Sequence, residues 1–360
     1  MKTSDLDYAL PEELIAQVPI EPRDESRLLV LHRDTGALEH RTFRDIGAYL
    51  AAGDTLVANE SRVIPARMYA RKESSGGQVE VLLLRKLDEL RWRALVGGAR
   101  TREGTRIRFL EAEAPSTLTA SVTDTGERGE RTLLFSEPVE SHLDALGHTP
   151  LPPYIHAPLS DPERYQTIYA HTPGSAAAPT AGLHFTPDLL LSLRDAGVRL
   201  AYVTLHVGLD TFRPITESTL EGHQIHREWC RVDTPAVEQI NRSKVMGRSI
   251  VAVGTTSVRV LETAVRHGLF QEPDGPEAEN GSVCPWRPLS PFEGFTDLYI
   301  TPGFKFRIVD TLITNFHLPR SSLLALVMAF AGERLIRDAY AEAIRERYRF
   351  FSFGDAMLIL

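Results

Sequence analysis

The chain has 360 residues, 42% of them hydrophobic and 24% charged, which is the composition of an ordinary globular protein with one large domain or two smaller ones. The two cysteines lack CxxC spacing and no apolar run is long, so we expect no zinc site, iron–sulfur cluster, signal peptide or membrane span, and a location in the reducing cytoplasm. The formal net charge of -8 disfavours a nucleic-acid partner unless the basic residues are concentrated locally.

The first 61 residues predict alternating helices and strands. Asp7–Ala16 offers a proline and acidic residues for a first turn, which predicts a helix. Ser26–His32 is an apolar run bounded by charged residues, which predicts a strand. Thr42–Leu50 has the amphipathic pattern of a helix, and Asp54–Asn59 has the apolar pattern of a buried strand.

Between residues 62 and 150 the pattern changes to short strands separated by turns. Glycine pairs such as Gly76-Gly77 and Gly97-Gly98 supply the turn positions. Short strands at regular spacing, almost without helical periodicity, predict a small barrel or sandwich inserted into a larger domain. The predicted strands are Ala66–Arg71, Gln78–Arg85, Arg91–Val96, Arg106–Leu110, Thr117–Thr123 and Arg131–Phe135.

This β region also holds a concentration of arginines, between Arg85 and Arg108, with Trp92 among them. Arginines beside an aromatic ring can bind a phosphate backbone and stack a base. The alternative is a solvated outer face, because the later strands carry Glu127, Glu130 and Glu137. The sequence leaves both interpretations open.

After residue 150, strands and helices alternate again, which predicts a mostly parallel, layered sheet. We therefore predict an α/β fold: a layered α/β domain of residues 1–61 and 151–360, and an inserted all-β, barrel-like domain of residues 62–150. Phe270–Phe295 has no period and predicts an exposed loop. The predicted strands are Val198–Val207, Ser249–Gly254, Tyr299–Gly303 and Phe306–Ile313, and the predicted helices are Pro187–Ala196, Pro235–Met246, Val258–His267, Ser321–Arg337 and Ala339–Tyr348.

Val251–Leu261 (VAVGTTSVRVL) predicts a strand, a turn of small residues and a helix. Free N–H groups at a helix N-terminus, with the hydroxyls of Thr255, Thr256 and Ser257, form a receptor for an anion or a carboxylate. Arg259 can add a clamp for a carboxylate. Helix capping alone explains the same hydroxyls. The spacing matches neither a P-loop nor a Rossmann fingerprint.

Three further segments each present a histidine beside irregular backbone or a strand end. His184 lies in Ala178–Thr186, before a capped helix, and His206 ends a predicted strand. His317 lies in Ile313–Arg320 (ITNFHLPR), ahead of an apolar helix. A histidine at such a place can contact a ligand or carry a proton near neutral pH, and it can equally satisfy a local carbonyl group.

The segment Gly222–Trp229 contains His223, His226 and Glu228. Their spacing differs from HExxH, and no cysteine or aspartate completes a familiar ligand set. A contact with a polar substrate is therefore the better interpretation of this segment than a metal site.

Several of these motifs, taken together and in this order, resemble the S-adenosylmethionine:tRNA ribosyltransferase-isomerases of queuosine biosynthesis. The resemblance extends over nearly the whole chain, and it implies an α/β domain with an inserted β-barrel domain. The motifs are Ser26–Val30 (SRLLV), Ser61–Arg67 (SRVIPAR), Ala178–Phe185 (APTAGLHF), Leu205–Gly208 (LHVG), Val253–Arg259 (VGTTSVR), Ile313–Pro319 (ITNFHLP) and Tyr348–Ile359 (YRFFSFGDAMLI).

The resemblance implies an activity that the local chemistry does not show. Such enzymes transfer the ribosyl part of S-adenosylmethionine to 7-aminomethyl-7-deazaguanine in the tRNA anticodon, giving epoxyqueuosine and releasing adenine and methionine. It implies a consumed S-adenosylmethionine, a tRNA partner, no metal and no iron–sulfur cluster, and we expect a monomer. The alternatives are an S-adenosylmethionine-dependent RNA methyltransferase and a non-catalytic RNA-binding protein.

This reaction needs a base, an acid and a clamp for the methionine carboxylate. The candidates for proton transfer are His184, His206 and His317, which the sequence does not rank, and Arg259 or Arg320 is the candidate clamp. The predicted contacts of S-adenosylmethionine are Thr180, Gly182, Gly254, Thr255, Thr256, Ser257, Arg259, Asn315 and Arg320. The predicted tRNA contacts are Arg62, Arg67, Arg91, Arg93, Arg100 and Arg106.

The sequence departs from the family pattern at three places. Asp210 stands where a glycine is usual, so the approach of the backbone there is in question. Ile225–Cys230 (IHREWC) differs from the usual His-Ser-Glu followed by aromatic residues. The Phe270–Phe295 loop is longer than is typical.

Overall fold

The computed structural model describes residues 1–126, 129–208, 213–269 and 289–360, without the side chains of residues 268 and 269. The contacts divide the described chain into two compact units. The first consists of Met1–Ser61, Pro152–Thr172 and Ala178–Leu360, and the second of Arg62–Leu151 and Pro173–Ala177. The predicted fold class, a layered α/β domain with an inserted barrel-like β domain, is confirmed.

Strands and helices follow one another along the chain as follows. The strands are β1 (Arg27–Leu31), β2 (Leu38–Thr42), β3 (Thr55–Asn59), β4 (Ser61–Val63), β5 (Arg67–Lys72), β6 (Gln78–Lys86), β7 (Arg91–Val96), β8 (Arg106–Glu111), β9 (Ala114–Thr125), β10 (Glu130–Phe135), β11 (Gly147–His148), β12 (Thr172–Ser175), β13 (Arg199–Leu205), β14 (Glu228–Val232), β15 (Ile250–Val253), β16 (Phe292–Thr296), β17 (Thr311–Asn315) and β18 (Ala356–Ile359). The helices are α1 (Leu143–Leu146), α2 (Pro187–Asp195), α3 (Thr234–Val245), α4 (Gly254–Leu269), α5 (Ser322–Ala331) and α6 (Glu333–Arg345).

A large sheet organises the first unit. Nine of the described strands form it, in the order β16-β14-β13-β3-β15-β17-β18-β1-β2. The central strands β13, β3, β15 and β17 are parallel, and so are β18 and β1. The other neighbours are antiparallel. The sheet is therefore mixed, and the prediction of a mostly parallel sheet was wrong, because the α/β alternation fails at β14, β16 and β18.

The centre of this sheet packs on a layer of helical turns. Apolar residues of β1, β3, β15, β17 and β18 contact Phe43 and Ile46 of the 3-10 helix Phe43–Tyr49. The same cluster includes Phe185, which follows the 3-10 turn Thr180–His184, and Leu189 of α2. Burial of these side chains fixes the Thr180–His184 segment against the sheet.

The second unit is a six-stranded antiparallel barrel. Its strands follow the order β5-β6-β7-β10-β9-β8, and β8 pairs with β5 to close the barrel. Inward and outward residues alternate along β7, where Trp92, Ala94 and Val96 are buried. The alternation that predicted these strands therefore arises from a filled barrel interior.

Several predicted elements differ from the observed ones. Asp7–Ala16 is not a helix but contains a single 3-10 turn, because the backbone groups of Leu14 and Ala16 bond to Phe350. The break between the last two helices lies at Gly332, which has φ of 96°. The part of Phe270–Phe295 beyond residue 291 is strand β16, and residues 270–288 lie outside the described residues.

The strand predicted at Tyr299–Gly303 is absent from this described segment, and the one predicted at Phe306–Ile313 begins only at Thr311. The carboxylate of Glu262, on α4, explains why this strand begins later than predicted. It accepts hydrogen bonds from the backbone N–H groups of Arg307, Ile308 and Val309, at 3.0–3.3 Å. These donors are therefore not available to a sheet ladder.

We expect Glu262→Ala to lower the free energy of unfolding by about 3 kcal/mol or more. Glu262 is fully buried, so the three backbone N–H groups that it binds would lose their acceptor. Urea unfolding measures the change. Glu238→Ala, an exposed position on α3, is the matched control. Equal stability of the two variants would contradict the anchoring role of Glu262.

Candidate active site

One edge of the large sheet collects the polar segments of the first unit. The parallel strands β13, β3, β15 and β17 all end at this edge. The residues that follow or end them include His206, Ser61, Gly254 and Asn315. Because open α/β sheets bind ligands at the carboxyl ends of parallel strands, this edge is the natural place for a site.

A small cavity of about 40 Å³ lies at this edge. Of the residues predicted from the sequence, Thr180, Gly254, Thr255, Thr256, Asn315 and His317 border it. The further residues that border it, which the reasoning about single side chains missed, include Tyr154, Thr314, Phe351 and Ser352. The motif Tyr348–Ile359 already contained the last two, and it was the signal that could have found them.

Asn315, the last residue of β17, links the walls of the cavity. Its side-chain oxygen accepts a hydrogen bond from the Thr180 hydroxyl at 2.9 Å. Its amide nitrogen donates to the carbonyl oxygen of Phe351 at 3.2 Å and lies 3.4 Å from Nε2 of His184. Asn315 is buried, so these partners fix the orientation of its amide.

His184 lies behind Asn315 and does not border the cavity. Its Nδ1 is 2.8 Å from the Ser26 hydroxyl, and its ring packs on Phe43 with centroids 5.0 Å apart. Burial, with added repulsion from Arg349 and Arg23, lowers the pKa of His184 to about 3. The ring is therefore neutral near pH 7 and carries one proton. If Nε2 accepts the hydrogen bond from Asn315, this proton lies on Nδ1.

His317 is the one of the three predicted histidines that borders the cavity. Its Nε2 is 2.7 Å from the Thr314 hydroxyl. Burial lowers the pKa of His317 to about 3, so this ring is also neutral near pH 7. A neutral imidazole on a cavity wall can accept a proton or a hydrogen bond.

His206 follows β13 and lies beside the cavity-lining residue Val207. Its ring stacks on Trp229 at 5.1 Å, and its Nδ1 is 2.8 Å from the Ser61 hydroxyl. Burial lowers the pKa of His206 to about 4. The structure thus places His206 at the same edge of the sheet but not on the cavity wall.

The N-terminus of α4 forms another wall. The helix begins at Gly254, four residues earlier than predicted, so Thr255 and Thr256 lie in its first turn. Thr256 borders the cavity, and its buried hydroxyl has no hydrogen-bond partner in the part of the chain that the structure describes. Ser257 instead donates to the carbonyl oxygen of Val253 at 2.8 Å, which uses its hydroxyl internally.

Arg259, the first candidate clamp, is already paired. Its guanidinium bonds to the carboxylate of Glu228, and its Nε donates to the carbonyl oxygen of Leu298 at 3.2 Å. Glu228 in turn accepts from the backbone N–H of Gly208 at 2.8 Å. Nη2 of Arg259 has no hydrogen-bond partner among the described residues, but this side chain does not border the cavity.

Two other predicted contacts have structural roles. A side chain at Gly182 would collide with the Tyr169 hydroxyl, so this glycine permits close packing there, and its predicted contact with a ligand stays a prediction. Arg320, the second candidate clamp, has an exposed side chain, while its backbone bonds to Leu6 and Ile215. Asp210 lies outside the described residues.

The predicted tRNA contacts of the β region divide into paired and unpaired arginines. Arg91 bonds to Asp88 at 2.6 Å, Arg93 to Asp124 at 2.7 Å, and Arg67 lies 3.1 Å from Glu80. Arg62 is half-buried in β4. Arg100 and Arg106 are exposed, and neither forms an ion pair with any described residue.

Trp92 does not offer a stacking surface for a base. Its ring is buried in the barrel, with 5% of the residue exposed. The interpretation that this ring stacks a base was therefore wrong. Side chains alternate along β7, and Trp92 is one of those that point into the barrel. The basic stretch keeps its arginines at the surface but has no exposed tryptophan.

The described residues give little support for a metal site or a membrane segment. No group of three or more metal-binding side chains is found among them. His223 bonds to Glu217 at 2.9 Å, which accounts for one histidine of the Gly222–Trp229 segment. None of the described helices is long and apolar enough to cross a membrane.

A second cavity, of about 420 Å³, shares no residue with the first. It is bordered mainly by apolar and aromatic residues of the N-terminal segment, α5 and α6. Arg337 on its wall is already bonded to Glu333. The larger cavity therefore brings few free polar groups together, and the smaller one holds the candidate chemistry.

Comparison with known proteins finds relatives along the whole chain. The sequence pattern of the family described as queuosine biosynthesis protein matches residues 3–359. Proteins named S-adenosylmethionine:tRNA ribosyltransferase-isomerase from Carboxydothermus hydrogenoformans and Symbiobacterium thermophilum are each 52% identical to this chain, with both chains fully covered. The crystal structure of the S-adenosylmethionine tRNA ribosyltransferase from Thermotoga maritima is 41% identical, with a TM-score of 0.55 over 99% of this chain and 100% of that one.

The buried His184 predicts a pH dependence of stability. Its pKa is about 3 in the folded chain and near 6.5 when unfolded, so between these values the unfolded chain binds the extra proton and stability falls as the pH falls. Between about pH 6 and 5, the free energy of unfolding should fall less steeply in His184→Gln than in wild type. We expect the difference in slope to reach about 1.4 kcal/mol per pH unit. His156→Gln, at an exposed position, is the control, and equal slopes for the two variants would contradict the prediction.

Proposed function

Because the chain belongs to the family of queuosine biosynthesis proteins, we propose that it transfers the ribosyl group of S-adenosylmethionine to 7-aminomethyl-7-deazaguanine in a tRNA and isomerises it. The products are epoxyqueuosine-tRNA, adenine and methionine. Full-length relatives at about half identity are S-adenosylmethionine:tRNA ribosyltransferase-isomerases, and the chain is an enzyme of this class. We expect it to act in the cytoplasm as a monomer.

The observation that carries the proposal is the meeting of separate family motifs on one cavity. Ala178–Phe185, Val253–Arg259, Ile313–Pro319 and Tyr348–Ile359 each contribute lining residues. Among the described lining residues none carries a formal charge, and the polar groups, which lie among apolar side chains, are hydroxyls, one amide and one imidazole. Such a wall suits the ribose hydroxyls and the adenine of the nucleoside, which are recognised by hydrogen bonds.

The size of the cavity constrains how the substrate binds. A volume of about 40 Å³ holds only a few water molecules. S-adenosylmethionine needs a pocket of several hundred Å³. We therefore expect the substrate to move the walls apart or to place only one of its parts in this cavity.

We propose His317 as the proton-transfer residue, because it is the one of the three candidate histidines that borders the cavity. His184 acts as a positioning residue, since it contacts the amide of Asn315 rather than the cavity. His206 supports the same edge through Ser61.

For the methionine carboxylate we propose the N-terminus of α4. Free N–H groups of a first helical turn and the unpartnered Thr256 hydroxyl form a receptor for an anion. Arg259 is neutralised by Glu228, and the Arg320 side chain is exposed, so both are weaker candidates than the helix terminus.

Mass spectrometry of the modified nucleoside tests the function. The enzyme is incubated with S-adenosylmethionine and a tRNA that carries the aminomethyl-deazaguanine base. We expect epoxyqueuosine in the tRNA, with adenine and methionine released in equal amounts. Release of S-adenosylhomocysteine would identify a methyltransferase instead, and tRNA binding without turnover would identify a non-catalytic protein.

We expect His317→Gln to lower kcat by about 10²–10⁴-fold, as is typical when a general acid or base is removed. Single-turnover measurement with the labelled tRNA separates this change from product release. His156→Gln is the control for a surface histidine. A wild-type kcat for His317→Gln would exclude His317 as the proton carrier.

The β-barrel is proposed to hold the anticodon arm of the tRNA. Arg100 and Arg106 are the preferred phosphate contacts, because they are exposed and without an ion-pair partner among the described residues. Arg67, Arg91 and Arg93 each already face a carboxylate, which weakens their attraction for phosphate.

We expect the double charge reversal Arg100→Glu, Arg106→Glu to weaken tRNA binding and to reduce the salt slope of log K by about 1–2, since each lost phosphate contact removes nearly one released counterion. Filter binding at several salt concentrations measures the slope. Arg91→Glu, whose side chain is paired with Asp88, should change it less. An unchanged slope in the double variant would place the tRNA elsewhere.

A further inference from the structure

We propose that Tyr8 and Tyr340 are positioning residues of the active site, which hold both backbone polar groups of His317. The inference rests on the proposed role of His317. The two tyrosines do not border the small cavity themselves. They act through the backbone that carries the imidazole.

The hydrogen bonds to His317 come from two distant parts of the chain. The backbone N–H of His317 donates to the Tyr340 hydroxyl at 2.9 Å. The Tyr8 hydroxyl donates to the carbonyl oxygen of His317 at 2.5 Å. The two tyrosine rings pack edge to face, with centroids 5.2 Å apart, so each ring supports the position of the other.

His317 needs such partners because it lies between regular elements. β17 ends at Asn315 and α5 begins at Ser322, so neither a sheet ladder nor a helix takes its N–H and C=O groups. A buried backbone group without a partner is costly, and the phenols supply the missing donor and acceptor. The position of the imidazole therefore depends on these side chains.

The N-terminal segment holds the same loop at a second point. The backbone N–H of Arg320 donates to the carbonyl oxygen of Leu6 at 3.0 Å. Arg320 has φ of 55°, a conformation that needs support from its surroundings. Residues 6–8 thus hold the loop on both sides of Pro319, which limits its movement.

The surroundings of the two tyrosines allow each hydroxyl group to be removed with little other change to the structure. Burial raises the pKa of both phenols, so they stay protonated at every working pH. Both rings also border the 420 Å³ cavity. Loss of a hydroxyl there leaves the ring in place and requires no repacking.

The experiment compares Tyr8→Phe and Tyr340→Phe with Tyr348→Phe. Tyr348 packs on Phe316 in the same aromatic cluster, but its hydroxyl bonds to His40, so it is the matched control. We expect each test variant to lower kcat by about tenfold with little change in KM, because the substrate-binding walls are retained. In the His317→Gln background, Tyr340→Phe should cause no further loss, since it acts through the ring that is already removed.

A readout independent of turnover separates this inference from the proposed function. The ring signals of His317 in an NMR spectrum of histidine-labelled protein, assigned with His317→Gln, should shift in both test variants and stay unchanged in Tyr348→Phe. If wild type lacks ribosyl transfer, the function is wrong, and these signals still decide the positioning. Unchanged ring signals, a wild-type kcat, or an equal loss in Tyr348→Phe would overturn the inference.

Discussion

The buried amide of Asn315 is the interaction on which the arrangement of the site depends. One side chain joins Thr180 and His184, which lie in the same 3-10 turn, to the carbonyl group of Phe351, and the two segments are far apart in the sequence. An amide is suited to this task, because it offers an acceptor and two donors in one plane. An aspartate would lose both donors and bring a charge into a buried place. The end of β17 is thereby tied to two other walls of the cavity.

Local patterns in the sequence were sufficient for much of the fold. The barrel strands were predictable because residues alternate between the interior and solvent, as along β7. His206, Gly254 and Asn315 meet at one edge because the parallel strands that carry them end together there. Six of the site residues predicted from the motifs border the cavity.

Other features depend on contacts between distant residues, which no local pattern contains. The segment that includes Leu14 has the composition of a helix, but Phe350 takes its backbone hydrogen bonds. Arg259 looked like a free cation, and only the fold brings Glu228 against it. Tyr8 and Tyr340 carry no motif, and their relation to His317 exists only in three dimensions.

The place of β18 has a consequence for the synthesis of the chain. This strand follows every other strand of the large sheet in the sequence, yet it lies between β17 and β1 and pairs with both. Until Ala356–Ile359 has been synthesised, β1 and β17 each keep an open edge. The large sheet is therefore complete only after β18 has joined it, and open strand edges before that point favour aggregation.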